Sequence, residues 1–291
     1  MPTTDCRYVH VMTATRSSSA APIAPPPEFG ARLRWWRTTR RYSQLELANE
    51  AEISSRHLSF LETGRSRPSR EMVIHLATVL ELPLRDGNSL LTAAGFARAY
   101  SEIDLNAPEM AGIRTVLTTI LEAHMPNPAA VVNRLGDLID ANPAALQLMA
   151  AAVPAGSGAL EPAPNLHRLV YHPDGIRART RNWVELAAAL LLRLERERNH
   201  RPADEALAAL VDEMLAYPDV ADLRSNPPSD AGADLLIPMR IEIDGGGVLS
   251  LFTTISTIGS PHDVTLDELR LETFFPADDA GRALLTTWAS D

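Results

Sequence analysis

One short segment carries the three side-chain types of a hydrolase triad. Ser260, His262 and Asp263 would supply a nucleophile, a base and an acid. These residues are almost consecutive, however, and no Gly-x-Ser-x-Gly turn presents the serine, so we interpret the segment as a loop that caps the next helix. The sequence therefore predicts no catalytic residue and no enzyme.

Metal and phosphate chemistry have equally little support. His167 and His172 are five residues apart, which does not place two ligands on one helix face, and the single Cys6 excludes a cysteine zinc site. Asp244-Gly245-Gly246-Gly247 is rich in glycine, but neither a helix nor a Lys follows to make it a phosphate loop. No metal and no cofactor are predicted.

The distribution of charge points to the binding of a polyanion. The chain has 291 residues, a length that favours two domains, and a net charge of −10. Residues 28 to 100 hold 11 Arg against 8 Asp and Glu, whereas residues 101 to 291 hold 14 Arg against 28. A basic head on an acidic body is expected of a DNA reader whose second domain does not bind DNA.

The basic head has the pattern of a helical bundle. Apolar residues at helical spacing predict a first helix from Phe29 to about Arg41. Ser43-Gln44-Leu45-Glu46 is a capping box that starts a second helix, and Ser54 caps a third that ends at Gly64. A fourth helix opens at Ser69, and a fifth completes the bundle. The short turn between the second and third helices is that of a helix-turn-helix.

In the acidic body, strands alternate with helices. The predicted elements are a helix over 108–123, strands over 130–132 and 138–139, a helix over 142–151, helical stripes over 183–194 and 207–215, and a hairpin with strands over 235–243 and 248–255. This interleaving indicates an α+β domain.

The stretch SQLELANEAEISSRHLSFLETG, from Ser43 to Gly64, resembles the XRE family, the Cro and phage-repressor type of helix-turn-helix. The resemblance covers residues 29 to 95. It implies that Gln44 meets the DNA backbone or a base edge, and that the third helix, from Ser54, enters the major groove.

The outer face of the third helix carries the side chains suited to reading bases. Once its leucines turn inward, Ser55, Arg56 and Ser59 lie outward, and Arg56 can donate two hydrogen bonds to a guanine. Arg65 and Arg67, in the loop that follows, are better placed for phosphates. We predict contacts with double-stranded DNA at Gln44, Ser54, Ser55, Arg56, Ser59, Phe60, Arg65 and Arg67.

Four positions in the head either have a structural role or depart from the XRE pattern. In the XRE family the positions of Arg37 and Glu62 form an internal ion pair between the first and third helices, so the resemblance implies a structural role. Glu52 replaces the usual turn glycine, so a left-handed backbone there would be strained. Phe60 replaces a polar or basic residue, and its role stays open between a thymine-methyl contact and packing.

Several motifs in the body carry a second resemblance. They are Ala141-Asn142-Pro143-Ala144, His172-Pro173-Asp174-Gly175, Asn182-Trp183, Asp263-Val264-Thr265-Leu266-Asp267-Glu268-Leu269 and Phe274-Phe275-Pro276-Ala277-Asp278. With them, residues 108 to 288 resemble the ligand-binding domain of MmyB-like transcription regulators, a PAS-like fold. The resemblance implies a small, apolar, fatty-acid-like ligand between the sheet and its covering helices.

The body offers apolar side chains for such a pocket, although each also fits a plain core. The candidates are Trp183, Leu186 and Leu190 on a helix and Ile241, Leu249 and Leu251 on the hairpin. Two functions stay open: a transcriptional regulator whose body binds a ligand, or a DNA-binding protein whose body is a protein-interaction module without a ligand. A lipid bound to the purified protein would favour the first.

The whole pattern is that of a multidomain protein: an all-α, five-helix, lambda-repressor-like helix-turn-helix domain followed by an α+β PAS-like domain. The predicted boundaries are a disordered leader over 1–27, the helix-turn-helix domain over 28–100, a connecting helix over 101–123 and the ligand-binding domain over 124–291.

The sequence also gives an expected location. No apolar stretch reaches the roughly 18 residues that span a bilayer, and a lone Cys6 fits a reducing compartment. All 27 basic residues are Arg, which suggests a GC-rich bacterial genome. We expect a bacterial, cytoplasmic, sequence-specific regulator that makes no membrane contact, and a homodimer stays open.

Overall fold

The computed structural model describes residues 25–154, 156–225, 237–243, 247–259 and 261–289. Residues 1 to 24 of the predicted leader, which include Cys6, lie outside the described residues. So do residues 235, 236 and 244 to 246 of the predicted hairpin, and Ser260. In the described ranges, no helix is long and apolar enough to cross a membrane.

Five helices form the head, as the sequence predicted. They are α1 (Phe29–Thr39), α2 (Gln44–Glu50), α3 (Ser55–Glu62), α4 (Arg70–Val79) and α5 (Leu84–Ala93). The capping box at α2 is complete, because the Ser43 hydroxyl accepts from the Glu46 amide and the Glu46 carboxylate accepts from the Ser43 amide. Ser54 and Ser69 cap α3 and α4 through their hydroxyls. The helices enclose an apolar core in which Trp36 is the largest fully buried side chain.

Two backbone positions fix the placement of α3. Glu52, in the turn between α2 and α3, has a φ of 51°, the left-handed conformation expected at that position. Gly30 lies against the end of α3, and a Cβ there would be 2.6 Å from the carbonyl oxygens of Leu61 and Glu62. The absence of a side chain at residue 30 therefore lets α1 approach α3 closely.

The body combines helices with one antiparallel sheet. Its described elements are α6 (Ala111–Ala123), β1 (Ala129–Val132), β2 (Leu138–Ala141), α7 (Pro143–Ala152), α8 (Leu166–Tyr171), α9 (Trp183–His200), α10 (Glu205–Ala216), α11 (Val220–Ser225), β3 (Met239–Ile243), β4 (Gly247–Ser256), α12 (Val264–Glu268), β5 (Arg270–Pro276) and α13 (Asp279–Trp288). The strand order is β2-β1-β5-β4-β3, so the last strand lies at the centre. This is the predicted α+β domain.

Different helices cover the two faces of the sheet. On one face, Leu117 and Leu121 of α6 pack against Ala129 and Val131 of β1. The other face packs against the helices from α7 to α11 and against α13, in the largest apolar cluster of the described chain. The connecting helix and the main core of the body therefore lie on opposite sides of the sheet.

The predicted connecting helix over 101–123 is too long at its start. A 3-10 turn over Pro108–Met110 precedes α6, and residues 101 to 107 form no helix. The reason is tertiary: the Ser101 carbonyl accepts from the Val264 amide at 2.8 Å, and the Ile103 amide donates to Asp263 Oδ2 at 3.1 Å. Backbone groups that a helix would use internally are instead bonded to the body.

Candidate functional site

The outer face of α3 presents an arginine close to the start of the helix. Arg56 is exposed, while Ser55 and Ser59 beside it are partly buried. The Arg56 guanidinium lies 5.3 Å from the centre of the Phe60 ring, one turn further along. Stacking of this kind restrains a long side chain without neutralising its charge. In this structure Phe60 therefore packs beneath Arg56.

The loop after α3 exposes two further arginines. Gly64 has a φ of 71° and ends the helix, and the Arg65 amide then donates to the Phe60 carbonyl at 2.9 Å. Arg65 and Arg67 are both exposed. The exposed guanidinium groups of Arg56, Arg65 and Arg67 are thus carried by a single helix and the loop that follows it.

Two of the predicted DNA contacts are engaged within the protein. Gln44 Nε2 donates to Glu62 Oε2 at 2.8 Å, which ties its amide to the ion pair behind α3. The Ser54 hydroxyl accepts from the His57 amide at 3.1 Å, as its role as helix cap requires. Sequence spacing placed Gln44 at the start of α2 but did not reveal that Glu62 lies within its reach.

Arg37 and Glu62 are joined inside the head. Arg37 Nε lies 2.6 Å from Glu62 Oε1, and a second nitrogen lies 3.1 Å from Oε2. A third Arg37 nitrogen donates to the Tyr42 carbonyl at 2.8 Å. The Glu62 side chain is 1% exposed. This geometry links α1, the turn after it and α3, and it gives both charged groups several partners.

A cavity of about 690 Å³ lies between the sheet and its covering helices in the body. Residues of α9, from Leu186 to Arg196, form one wall. The opposite wall is one face of the sheet and includes Met239, Ile241, Thr253, Ile255, Glu272 and Phe274. Strand pairing places Thr253 opposite Phe274 and Ile255 opposite Glu272, so these side chains share a face.

Three of the six predicted pocket residues line this cavity, and three do not. Leu186, Leu190 and Ile241 are wall residues. Leu249 and Leu251 lie on the same face of β4 as the wall residues, but both are fully buried in the apolar cluster that includes Leu285 of α13, and Leu249 lies next to Gly281. Trp183 is also core, because its ring nitrogen donates to the Val170 carbonyl at 2.8 Å and Arg177 stacks on its ring. The sequence showed the face of the strand but not where the cavity ends.

Charged and polar groups interrupt the apolar wall. Arg193 lies 3.9 Å from Glu272, and Arg224 lies 2.9 Å from Glu195. Burial raises the pKa of Glu272, while Arg193 opposes the rise. Burial and the nearby Arg193 charge lower the pKa of His167 to about 4, so this ring is neutral at neutral pH. The cavity therefore combines a long apolar surface with a cationic group whose ion pair is loose.

Of these polar residues, only His167 has a sequence signal, and that signal was weighed for metal binding and not for a pocket. Arg193 and Glu195 belong to the α9 segment Arg193-Leu194-Glu195-Arg196, and a run of charges of this kind is typical of a solvated helix face. Glu272 lies in β5, for which no strand was predicted. Among the described residues, no group of three or more His, Cys, Asp and Glu is arranged to hold a metal ion.

Two family models match the chain. One, a helix-turn-helix domain, matches residues 28–87, and the other, the MmyB-like transcription regulator ligand binding domain, matches residues 113–287. Together with the fold they define a transcription regulator with a helix-turn-helix domain and a separate ligand-binding domain. The chain belongs to the MmyB-like transcription regulators, since that model covers more than half of it.

Other comparisons add little. No curated protein matches the chain. A solved structure of an RNA-binding light-oxygen-voltage receptor aligns with 89% of this chain at 13% identity and a TM-score of 0.25. The alignment covers 61% of that receptor's length. A TM-score this low gives no basis for transferring fold or function.

Proposed function

We propose that this regulator binds double-stranded DNA in a sequence-specific manner through α3. The observation that carries the proposal is the exposed Arg56 near the capped start of α3, with Arg65 and Arg67 beside it. Arg56 is placed to read a guanine edge, and the other two to bind phosphates. Within the described ranges, the head meets the body through α5 and the segment after it, and the Arg56 side of α3 is exposed, as entry into the major groove requires.

We further propose that an amphipathic, fatty-acid-like molecule occupies the cavity and alters DNA binding. The apolar walls from α9 and the sheet suit an acyl chain, and Arg193 suits a carboxylate head because its contact with Glu272 is loose at 3.9 Å. Occupancy affects DNA affinity only when the ligand binds the DNA-competent and incompetent arrangements with different affinity.

Two measurements test these proposals on the full-length protein. Selection of binding sites from random duplex DNA should return a defined motif, and enrichment no greater than that of non-specific binding would contradict sequence-specific recognition. Native mass spectrometry of the purified protein should show a bound amphiphile that denaturation releases. If protein from several expression hosts carries no bound amphiphile, and its DNA binding does not respond to added palmitic acid, the body is an interaction module instead.

A further inference from the structure

A buried carboxylate of the body, Glu268, binds Arg85 of the helix-turn-helix head, and Arg85 also pairs with Glu102 at 2.6 Å. Glu268, the last residue of α12, accepts from Arg85 of α5 at two points: Nε to Oε1 at 2.8 Å and Nη2 to Oε2 at 3.0 Å. The two residues are 183 positions apart in the sequence. A paired contact of this kind depends on both distance and orientation.

Further charges surround this contact on the body side. Glu268 is buried, and Arg134 and Arg201 lie 3.6 Å and 4.0 Å from its oxygens. Arg134 is itself held by Asp204, at 2.6 Å and 3.2 Å. Glu268, Arg85, Arg134, Arg201 and Asp204 are called the junction cluster below.

Residues 101 to 107, called the linker below, connect head and body and are attached to α12. Asp263 caps α12 by accepting from the amides of Thr265 and Leu266, and its second oxygen accepts from the Ile103 amide. An isolated parallel β-bridge between Ser101 and Asp263 adds a backbone contact. α12 therefore holds both α5 and the linker.

Two elements that line the cavity lead directly into the junction cluster. β5 starts two residues after Glu268 and carries Glu272 and Phe274 into the cavity wall. α9, which forms the opposite wall, ends at His200, and Arg201 follows immediately. A shift of either wall would thus move a member of the cluster, because strands and helices transmit displacements along their length.

We propose that the junction cluster transmits the occupancy of the cavity to the head; this proposal rests on the ligand-controlled DNA binding proposed above. Occupancy changes the distance between β5 and α9, which alters the contact between Glu268 and Arg85 and so the orientation of α5. The body holds 28 acidic residues against 14 Arg, so a change in its orientation changes the repulsion between it and DNA phosphates.

A double-mutant cycle on the full-length protein tests the proposal without knowledge of the ligand. Ala188→Trp on α9 fills part of the cavity and stands in for an occupant, and Thr253→Phe on β4 does so from the opposite wall. Affinity for the duplex selected from random DNA is measured with each filling substitution, alone and combined with Arg85→Gln. Filling should change the affinity about 5- to 150-fold in the wild-type background and by no more than about twofold with Arg85→Gln.

The matched control is Arg98→Gln, which removes the 3.3 Å ion pair between Arg98 and Glu102 but leaves Arg85 paired both with Glu102, at 2.6 Å, and with Glu268. This variant should keep the full response to filling. Glu268→Gln removes the junction charge from the other side and should behave like Arg85→Gln. Thermal unfolding followed by circular dichroism identifies any variant that does not fold. If one filling variant or one junction variant fails to fold, the other variant of the same kind takes its place in the double-mutant cycle.

The outcomes separate the two proposals. A full response that survives both Arg85→Gln and Glu268→Gln would overturn the role of the junction cluster and leave ligand control intact. No response to either filling substitution in the wild-type background would overturn ligand control through this cavity, and the transmission with it.

Discussion

The guanidinium of Arg37 and the carboxylate of Glu62 form a buried, two-point ion pair that joins α1 to α3, the helix proposed to read DNA. Gln44 donates to the same carboxylate, so the first residue of α2 joins the contact. The first three helices of the head thus meet at one acidic side chain. Loss of this side chain would leave Arg37 with a buried, uncompensated charge.

We predict that Glu62→Ala destabilises the head by about 3 to 5 kcal/mol, the range for removal of one partner from a buried ion pair. Urea denaturation, followed by tryptophan fluorescence, measures the change, since Trp35 and Trp36 report the unfolding of the head while Trp183 and Trp288 report that of the body. The control is Arg98→Ala, which removes an exposed arginine of the same head from its pair with Glu102 and should cost no more than about 1 kcal/mol. Equal effects of the two substitutions would contradict the structural role of Glu62.

Arg56 and Arg65 should contribute differently to DNA binding. Arg56→Ala should relax the preference at one base pair by about 1 to 3 kcal/mol. Arg65→Ala should weaken binding to all sequences alike and reduce the slope of log affinity against log salt by about 0.9. Fluorescence anisotropy on selected and random duplexes, over a series of salt concentrations, separates the two. Identical losses on both duplexes for both variants would refute this division of roles.

Gly30→Ala should destabilise the head, because the new Cβ would lie 2.6 Å from two backbone carbonyl oxygens of α3. Overpacking of this kind costs about 1 to 3 kcal/mol. Gly112→Ala, in α6, is the matched control: no atom lies within 4 Å of its Cβ position, so the change should stabilise by up to about 1 kcal/mol. Thermal denaturation of both variants tests the contrast. A stable Gly30→Ala protein would contradict the close packing of α1 on α3.

The stability of the junction should depend on the protonation of Asp86. Burial raises the pKa of Asp86 from 3.8 to about 6, against the opposing charges of Arg201, Arg40 and Arg85, and Asp204 adds to the rise. The folded state therefore holds this proton more tightly than the unfolded chain does. The stabilisation that this bound proton gives to the folded state is complete below about pH 4 and is lost as the pH rises through about 6.

Asp86→Asn should accordingly be more stable than the wild type at pH 7, by at most about 3 kcal/mol. The advantage should shrink as the pH falls, and it should vanish below about pH 4. Urea titrations at pH 4, 5, 6 and 7 measure the difference, with the exposed Asp279→Asn as a control. If the stability advantage of Asp86→Asn over the wild type grew as the pH fell, the raised pKa of Asp86 would be contradicted.

Arg193→Gln should weaken the binding of palmitic acid about tenfold, the effect of losing one charge-assisted hydrogen bond at a partly exposed site. Binding of hexadecanol, which has the same chain and no carboxylate, should be nearly unchanged. Isothermal titration calorimetry on delipidated protein gives both constants. An equal loss for the acid and the alcohol would show that Arg193 acts by shaping the cavity and not by pairing with the head group.

Local signals in the sequence determined most of the head. The Ser43 and Glu46 capping box, the Ser54 cap and the turn at Glu52 act through neighbouring backbone groups, so their residues suffice to place α2 and α3. The same is true of β1 and β2, which form where strands were predicted over 130–132 and 138–139 and are joined by a turn in which Gly136 has a φ of 81°. Family motifs likewise identified both domains before any geometry was known.

Only the tertiary structure decided where the cavity lies and how head and body meet. Leu249 and Ile241 face each other in the hairpin, yet α13 buries the first and the second lines the cavity. β5 escaped prediction because Arg270 and Glu272 break its apolar pattern, although the strand occupies the sheet centre. Arg85 and Glu268 meet across 183 residues. Such contacts depend on long-range packing, which leaves no periodic trace in the sequence around either partner.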